Sequence, residues 1–202
     1  MAYSERLYLP GYPYHVVQRG NNRQQVFMAP ADYIRYQDYL HDALLRYGVF
    51  CHAFVQMSNH VHLLLTPGCA GGISRVMSLL GNRYVQVFNH RHGRSGTLWE
   101  GRHHAGMIVS DKRFWATHLY IELNPVRAGI VTHPDGYYWS SYAHNALGVH
   151  SDLVSPHTLY EALAEDRRKR LTAYRHLFQE RFNAAEFDEI RRVTRRDSPL
   201  EK

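Results

Sequence analysis

The 202-residue sequence contains only two cysteines, Cys51 and Cys69. Two are too few for a disulfide framework, so we expect a protein of a reducing compartment. Apolar runs extend over only a few residues, and the first ten residues, MAYSERLYLP, lack the apolar core of a secretory signal. We therefore expect no membrane span and no signal peptide, and we predict a cytoplasmic protein.

Repeats and nucleotide-binding loops are also missing from the sequence. No solenoid period is visible, and the glycine-rich segment at 68–72 (GCAGG) lacks the lysine of a GxxxxGK[ST] loop. The sequence therefore gives no indication of a P-loop that would bind ATP.

Basic residues, tyrosines and histidines are abundant. The formal net charge is +6, and there are fifteen tyrosines and fifteen histidines. A basic protein of this size often binds nucleic acid, although the charge alone fits a protein without such a partner equally well. The hydrophobic content of 45% is sufficient for one domain with a proper core.

Hydrophobic periodicity and turn residues predict the element order β-α-β-β-α-β-α in the first two thirds of the chain. The predicted strands are Tyr12–Gln18, Val49–Met57, His60–Thr66 and Thr97–Val109, and the predicted helices are Pro30–Tyr47, Ile73–His92 and Ser110–Asn124. The first six elements match an α+β, ferredoxin-like fold, an antiparallel sheet with helices on one face.

The pattern changes after about residue 136. Residues 139–142 (WSSY) lie in a turn-rich stretch, and polar helices follow at about Pro156–Leu163, Asp166–Phe182 and Ala184–Arg195. We predict a main domain over residues 1–135 and a helical C-terminal extension over residues 136–202.

Two histidines are the first candidate site residues. His60 and His62 are two positions apart on a predicted strand, so both side chains project from one face while Val61, Leu63 and Leu65 face the core. Such a pair can supply half of a metal site or can be two ordinary exposed histidines. Histidine-triad nucleotide hydrolases would need a third histidine at the position of Leu64.

The helix from Ser110 provides the second candidate. At roughly 100° per residue its large apolar side chains form one arc, whereas Tyr120 and Asn124 fall on the opposite side, one turn apart. This placement suits a nucleophile beside a metal ligand, but it also suits a surface tyrosine and a capping asparagine. Glu122 falls within the apolar arc, with no role assigned.

The sequence resembles the REP-associated tyrosine transposases, which belong to the single-tyrosine branch of the HUH transposases. The matching segments, which run nearly collinearly from about residue 9 to residue 148, are GYPYHVVQRGNNRQ, FVQMSNHVHLLLTP, GNRYVQVFNHRHGRSGTLWEGR, YIELNPVRAGIV and WSSYAHNALG. One departure is Ser58, where the family often has proline before its Asn-His-Val-His motif.

This resemblance implies a function and a set of residues. Tyr120 would attack a phosphodiester in single-stranded DNA and form a 5′-phosphotyrosine. Because this covalent link would retain the energy of the broken phosphodiester bond, the strand could be rejoined without ATP. His60, His62 and Asn124 would hold a divalent metal, Mg²⁺ or Mn²⁺. The substrate would be single-stranded DNA beside a hairpin, the C-terminal extension would contribute to hairpin binding, and the protein would act as a monomer at the nucleoid.

Basic and amide residues in loops and near the long helix are the candidate DNA contacts. They are Arg19, Asn21, Asn22, Arg23, Arg83, Arg91, Arg94 and Arg102. Two other functions remain open: a domesticated hairpin-DNA-binding protein without turnover, and a metal-dependent nucleotide hydrolase. The intact set of Tyr120, His60, His62 and Asn124 disfavours the first, and Leu64 disfavours the second.

Overall fold

The computed structural model describes residues 8–178 and 184–195, and a four-stranded antiparallel sheet lies at its centre. The strands are β1 (Tyr14–Arg19), β2 (Val49–Met57), β3 (His60–Pro67) and β4 (His104–Met107), in the spatial order β2-β3-β1-β4. This order, with a helix between β1 and β2 and another between β3 and β4, confirms the predicted ferredoxin-like α+β fold.

Eight α-helices and two short 3₁₀ helices accompany the sheet in the described part of the chain. The α-helices are α1 (Pro30–Tyr47), α2 (Gly72–Arg91), α3 (Asp111–Glu122), α4 (Asn124–Arg127), α5 (Tyr142–Leu147), α6 (Thr158–Glu161), α7 (Arg167–Leu177) and α8 (Ala184–Arg195). The predicted bounds of α1 are confirmed. Its start is fixed by Asp32, whose carboxylate accepts the Ala29 amide at 2.8 Å, and it ends at Gly48 with φ of 59°.

The sheet separates two apolar clusters. Leu63 and Leu65 of β3 pack in the cluster that includes residues of α1 and α2, whereas Leu64 packs in the cluster that includes residues of α3 and α8. Because side chains alternate along a strand, His60 and His62 share the face of Leu64, and they therefore lie on the side of the sheet that α3 covers.

The fourth strand is shorter than predicted. Only residues 104–107 pair with β1, and Trp99 makes a single isolated bridge to Gly20. The segment before β4 bends at Gly93 and Gly96, with φ of 60° and 80°, and Trp99 is then buried in the first cluster. An extended, partly apolar sequence predicted a continuous strand here, but residues 98–100 make only an isolated contact with residues 19–21, and regular pairing with β1 begins at His104.

The C-terminal extension is attached to the edge strand β2. The backbone carbonyl of Trp139 accepts the Gln56 amide at 2.9 Å, and the Ser155 amide donates to Cys51 at 2.7 Å. Beyond these contacts α5, α6 and α7 form a small cluster of buried side chains, Tyr142, Ala146, Tyr160 and Tyr174.

The helices of the extension differ in part from the prediction. Helix α5 was not predicted, α6 and α7 are shorter than expected, and α8 has the predicted bounds; the predicted end of α7 at Phe182 lies outside the described residues. Among the helices that the structure describes, none is both long and apolar enough to cross a membrane.

Candidate active site in a basic cleft

Strand pairing brings three histidine-bearing positions together. In the register of β1 and β3, Val17 lies opposite His62 and Arg19 lies opposite His60. The rings of His60 and His62 have centroids 5.0 Å apart at an interplanar angle of 83°, and the ring of His15 stacks on His62 at 5.1 Å. The two predicted histidines therefore project together, as strand alternation requires.

Helix α3 crosses the same face of the sheet and carries Tyr120 to these rings. The helix begins after Ser110, whose hydroxyl oxygen accepts the Arg113 amide at 3.3 Å. The Tyr120 ring centroid lies 5.6 Å from that of His62. At the start of α4, Asn124 lines the same cleft as His60. The structure therefore places Tyr120, His60, His62 and Asn124 in one location.

The surroundings of Tyr120 differ from the expected open helix face. Tyr120 is only 4% exposed, because α8 packs over it. The Phe187 ring lies 5.6 Å from the Tyr120 ring, and the Nε atom of Arg191 donates to the phenolic oxygen at 3.4 Å. The predicted placement of Tyr120 on a non-core face of α3 is wrong, because Tyr120 is buried in the same apolar cluster as Phe114 and Ile121. The sequence did not indicate that a second helix would cover this side.

The four residues line an open cleft with a volume of about 1090 Å³. Five arginines also line it: Arg19, Arg23, Arg102, Arg127 and Arg191. Glu100 is the one carboxylate among the described residues of the lining. Because five of these charged side chains are guanidinium groups and one is a carboxylate, the cleft attracts a polyanion and can bind phosphates through charge-assisted hydrogen bonds.

Only part of the predicted DNA-contact set lies in this cleft. Arg19, Arg23 and Arg102 do so. Asn21 and Asn22 lie in a short 3₁₀ turn that directly follows β1 and that also contains Arg23.

The three arginines of the α2 region contact other protein groups instead. Arg83 pairs with Asp42 at 3.4 Å, Arg91 lies 3.8 Å from Asp32, and Arg94 donates to Gln24 at 2.6 Å. They are not part of the cleft lining.

Three histidines of the cleft, His15, His60 and His62, are electrically neutral near pH 7. Burial lowers the pKa of His60 to about 4, and the positive charge of Arg19 acts in the same direction. Burial also lowers the pKa of His15 to about 3, and burial together with the neighbouring His15 holds the pKa of His62 well below 6.5. A neutral imidazole keeps a lone pair on one nitrogen, which is the form that binds a metal ion.

The tautomer of His60 follows from its hydrogen bonds. The Asn59 amide nitrogen donates to the Arg23 carbonyl at 3.2 Å, which turns the amide oxygen towards His60 Nδ1 at 2.6 Å. That oxygen can only accept, so the ring proton is on Nδ1 and the lone pair is on Nε2.

A metal ion in this cleft would have two imidazole ligands and one amide ligand. Within residues 8–178 and 184–195, no three histidine, cysteine, aspartate or glutamate side chains converge on a possible metal site. Two neutral histidines and the Asn124 amide nevertheless fit a divalent ion, and such a set leaves coordination positions open for phosphate oxygens and water.

The sequence prediction missed several lining residues, among them His15, Arg127, Arg191 and Thr194. His15 lies on the first predicted strand, and since the observed strand extends to Arg19, four positions later, the two residues share a face. Arg127 follows Tyr120 by seven positions, about two helical turns, and its guanidinium lies 4.7 Å from the Tyr120 ring centroid. Arg191 and Thr194 reach the cleft only through the docking of α8, for which the sequence contains no local signal.

Glu122, which had no assigned role, anchors α3 to the extension. The fully buried carboxylate accepts hydrogen bonds from Ser141 at 2.6 Å, Asn145 at 2.9 Å and Tyr174 at 2.7 Å. Burial raises the pKa of this carboxyl group to about 7. Because these donors come from α5, α7 and the residue before α5, the extension helps to hold the helix that carries Tyr120.

Comparisons with known proteins indicate the family and the fold of this chain. The family model described as "Transposase IS200 like" matches residues 9–124. A solved structure of a REP-associated tyrosine transposase bound to a REP hairpin has a TM-score of 0.59 at 20% identity, over 78% of this chain and 93% of that chain. That structural match confirms the fold.

A proposed transposase from Deinococcus radiodurans R1 has a TM-score of 0.42 at 24% identity, over 60% of this chain and 96% of that chain. No curated protein matches the sequence significantly.

Proposed function

The chain belongs to the family of IS200-like transposases, and we propose that it is a metal-dependent endonuclease and strand transferase for single-stranded DNA at hairpins. The observation that carries this proposal is the meeting of Tyr120 with His60, His62 and Asn124 in a cleft lined by five arginines. A nucleophile, a metal-binding set and a phosphate-binding surface are the three components that such chemistry requires.

Tyr120 is the proposed nucleophile. Its phenolic oxygen attacks the phosphorus atom, the new O–P bond forms, and the P–O3′ bond breaks. The phenolic proton is lost to solvent, and the departing 3′ oxygen takes up one proton. Reversal of these steps by a 3′-hydroxyl rejoins a strand and needs no ATP, since the phosphotyrosine retains the bond.

His60, His62 and Asn124 are the proposed metal ligands, with Mg²⁺ or Mn²⁺ as the ion. When bound, the ion polarises the scissile phosphate and stabilises the charge of the transition state. Imidazole nitrogen suits Mn²⁺ better than Mg²⁺. Lone pairs on neutral rings, as argued above for His60, support this assignment.

The arginines of the cleft are the proposed phosphate contacts. Arg19, Arg23 and Arg102 lie beside the histidines, where they can orient a backbone towards Tyr120. The solved relative with this fold is bound to a REP hairpin, and we propose a hairpin with a flanking single strand as the substrate here. The C-terminal extension is proposed to contact the hairpin, and the protein to act in the cytoplasm at the nucleoid.

The candidate site is built from residues of a single chain, which supports a monomeric enzyme. The Tyr120 and His62 ring centroids are 5.6 Å apart in the same chain, so neither residue needs a partner subunit to complete the site. Each molecule would then cut and rejoin DNA by itself.

A covalent-adduct assay tests the proposal. The protein is incubated with Mn²⁺ and a labelled pool of single-stranded DNAs that contain hairpins, and the denatured products are examined for protein-linked label. We expect an adduct with the wild type and with Tyr138→Phe, whose tyrosine is 80% exposed, and none with Tyr120→Phe. His62→Ala should bind DNA but form no adduct, because phosphate contacts come from the arginines.

The same assay separates the alternatives. A protein that binds hairpins tightly and yields no adduct under any metal condition would be a domesticated DNA-binding protein. An adduct that persists unchanged in Tyr120→Phe would exclude Tyr120 as the nucleophile.

A further inference from the structure

A buried chain of hydrogen bonds extends from helix α8 to the second candidate metal ligand. The Thr194 hydroxyl donates to the Ile190 carbonyl at 2.8 Å, and the same hydroxyl oxygen lies 2.7 Å from His15 Nδ1. His15 Nε2 lies 2.9 Å from His62 Nδ1. Thr194, His15 and His62 are each at most 5% exposed, so water does not compete for these contacts.

The direction of the chain follows from its last acceptor. A carbonyl oxygen can only accept, so the single Thr194 hydroxyl proton is used towards Ile190. The Thr194 oxygen must then accept from His15 Nδ1–H. His15 is buried, and neither of its hydrogen-bond partners, Thr194 and His62, supplies a negative charge that would stabilise an imidazolium. The ring is therefore neutral, and its Nε2 has a lone pair that accepts from His62 Nδ1–H.

The opposite direction would disable the metal site. If Thr194 donated to His15 Nδ1, His15 would donate through Nε2 to His62 Nδ1, and the His62 proton would be on Nε2. That nitrogen could then not bind a metal. Which nitrogen of a ligating histidine is available is commonly set by the partner of the other nitrogen.

We propose that Thr194 and His15 are positioning residues that hold His62 in its Nδ1–H tautomer, and that the affinity for a divalent ion depends on the docking of α8. The inference rests on the proposed function, because it assigns His62 as a ligand. It adds that a residue 179 positions after His15 contributes to that site. Outer partners of this kind commonly change metal affinity by about 10–100-fold.

Matched substitutions separate the hydrogen bonds from packing. His15→Phe retains an aromatic ring but cannot accept from His62, whereas His15→Gln offers an amide oxygen to His62 and an amide nitrogen to Thr194. Thr194→Val removes the hydroxyl at nearly constant volume, whereas Thr194→Ser retains it. Thermal unfolding of each full-length variant shows whether the fold is intact.

Two measurements on the DNA-free protein decide the proposal. Mn²⁺ affinity is measured by electron paramagnetic resonance titration, and the His62 tautomer is measured by ¹⁵N NMR of the metal-free protein. We expect Mn²⁺ affinity to fall about 10–100-fold in Thr194→Val and His15→Phe and to recover largely in Thr194→Ser and His15→Gln. The wild-type His62 proton should be on Nδ1.

Each other outcome contradicts a different statement. A His62 proton on Nε2, or unchanged Mn²⁺ affinity in Thr194→Val, would contradict the proposed roles of Thr194 and His15. Neither result would contradict the metal site itself. A wild-type protein that binds no Mn²⁺ would contradict the metal site of the proposed function. It would also contradict the effect of the Thr194 and His15 hydrogen bonds on metal affinity. If His15→Phe does not fold, the Thr194 pair and the wild-type NMR spectrum still decide the matter.

Discussion

Arg127 lies over the face of the Tyr120 ring, with its guanidinium carbon 4.7 Å from the ring centroid and 4.8 Å from that of Phe187. The residue is exposed and lines the cleft. Within residues 8–178 and 184–195, the guanidinium group contacts these two rings. Arg127 is therefore held beside the nucleophile with its hydrogen-bond donors available to a phosphate.

Removing this guanidinium should slow the reaction without unfolding the protein. We expect Arg127→Ala to reduce the rate of adduct formation about tenfold or more, the effect of losing one hydrogen bond to a charged group. Single-turnover nicking measures this rate. Arg46→Ala, at an exposed arginine of α1 outside the cleft, should leave it unchanged; equal rates in both variants would show that Arg127 has no part in the reaction.

The two groups of arginines should differ in their contribution to DNA affinity. Arg23 lines the cleft, whereas Arg83 pairs with Asp42 on the surface. We expect Arg23→Ala to weaken hairpin binding and to reduce the slope of log affinity against log salt by about one. Arg83→Ala should alter neither quantity. Fluorescence titrations at several salt concentrations would measure both, and a reversed order would place the DNA on the α2 side.

Glu122 should make stability depend on pH. The carboxyl ionises near its ordinary value of 4.5 in the unfolded chain, but burial raises its pKa to about 7 in the fold. Between these values the folded state binds more protons, so the free energy of unfolding should fall as pH rises, by up to about 3 kcal/mol. The stabilisation is complete below pH 4.5 and is lost as pH rises to about 7.

The test compares Glu122→Gln with wild type in urea unfolding across this pH range. The amide cannot ionise, so this part of the pH dependence should disappear, whereas Glu161→Gln, at an exposed carboxyl, should retain it. A variant curve parallel to the wild-type curve would mean that Glu122 is ionised throughout.

Complementation distinguishes a site built in one chain from a site shared by two. The Tyr120 and His62 ring centroids are 5.6 Å apart within the chain. We therefore expect a mixture of Tyr120→Phe and His62→Ala proteins to be as inactive as each variant alone. Restored nicking in the mixture would require exchange of α3 between subunits.

Local sequence patterns were sufficient for the sheet, for α1 and for the relation between His60 and His62. Strand alternation and helix capping depend on neighbouring residues, and these features were predicted with nearly the observed bounds. The length of β4 was overestimated, since an extended apolar segment has the same pattern whether it pairs continuously with a strand or, like the segment around Trp99, makes only an isolated bridge to it.

The surroundings of Tyr120 could not be predicted in the same way. Its cover comes from Phe187 and Arg191, and the partner of His15 is Thr194 on the same distant helix. Such contacts depend on how α8 docks, and no periodicity near Tyr120 encodes that. Glu122 is a similar case, because its three hydrogen-bond donors all lie in the extension.

The attachment of the extension to β2 has a consequence for how copies of the protein can associate. An open edge strand presents a row of amide and carbonyl groups that can pair with the edge of another sheet. The backbone of residues 139–141 and 155 pairs with Gln56, Phe54 and Cys51 along this edge. The chain thereby caps its own sheet, and growth of a continuous sheet through β2 of a second molecule is blocked.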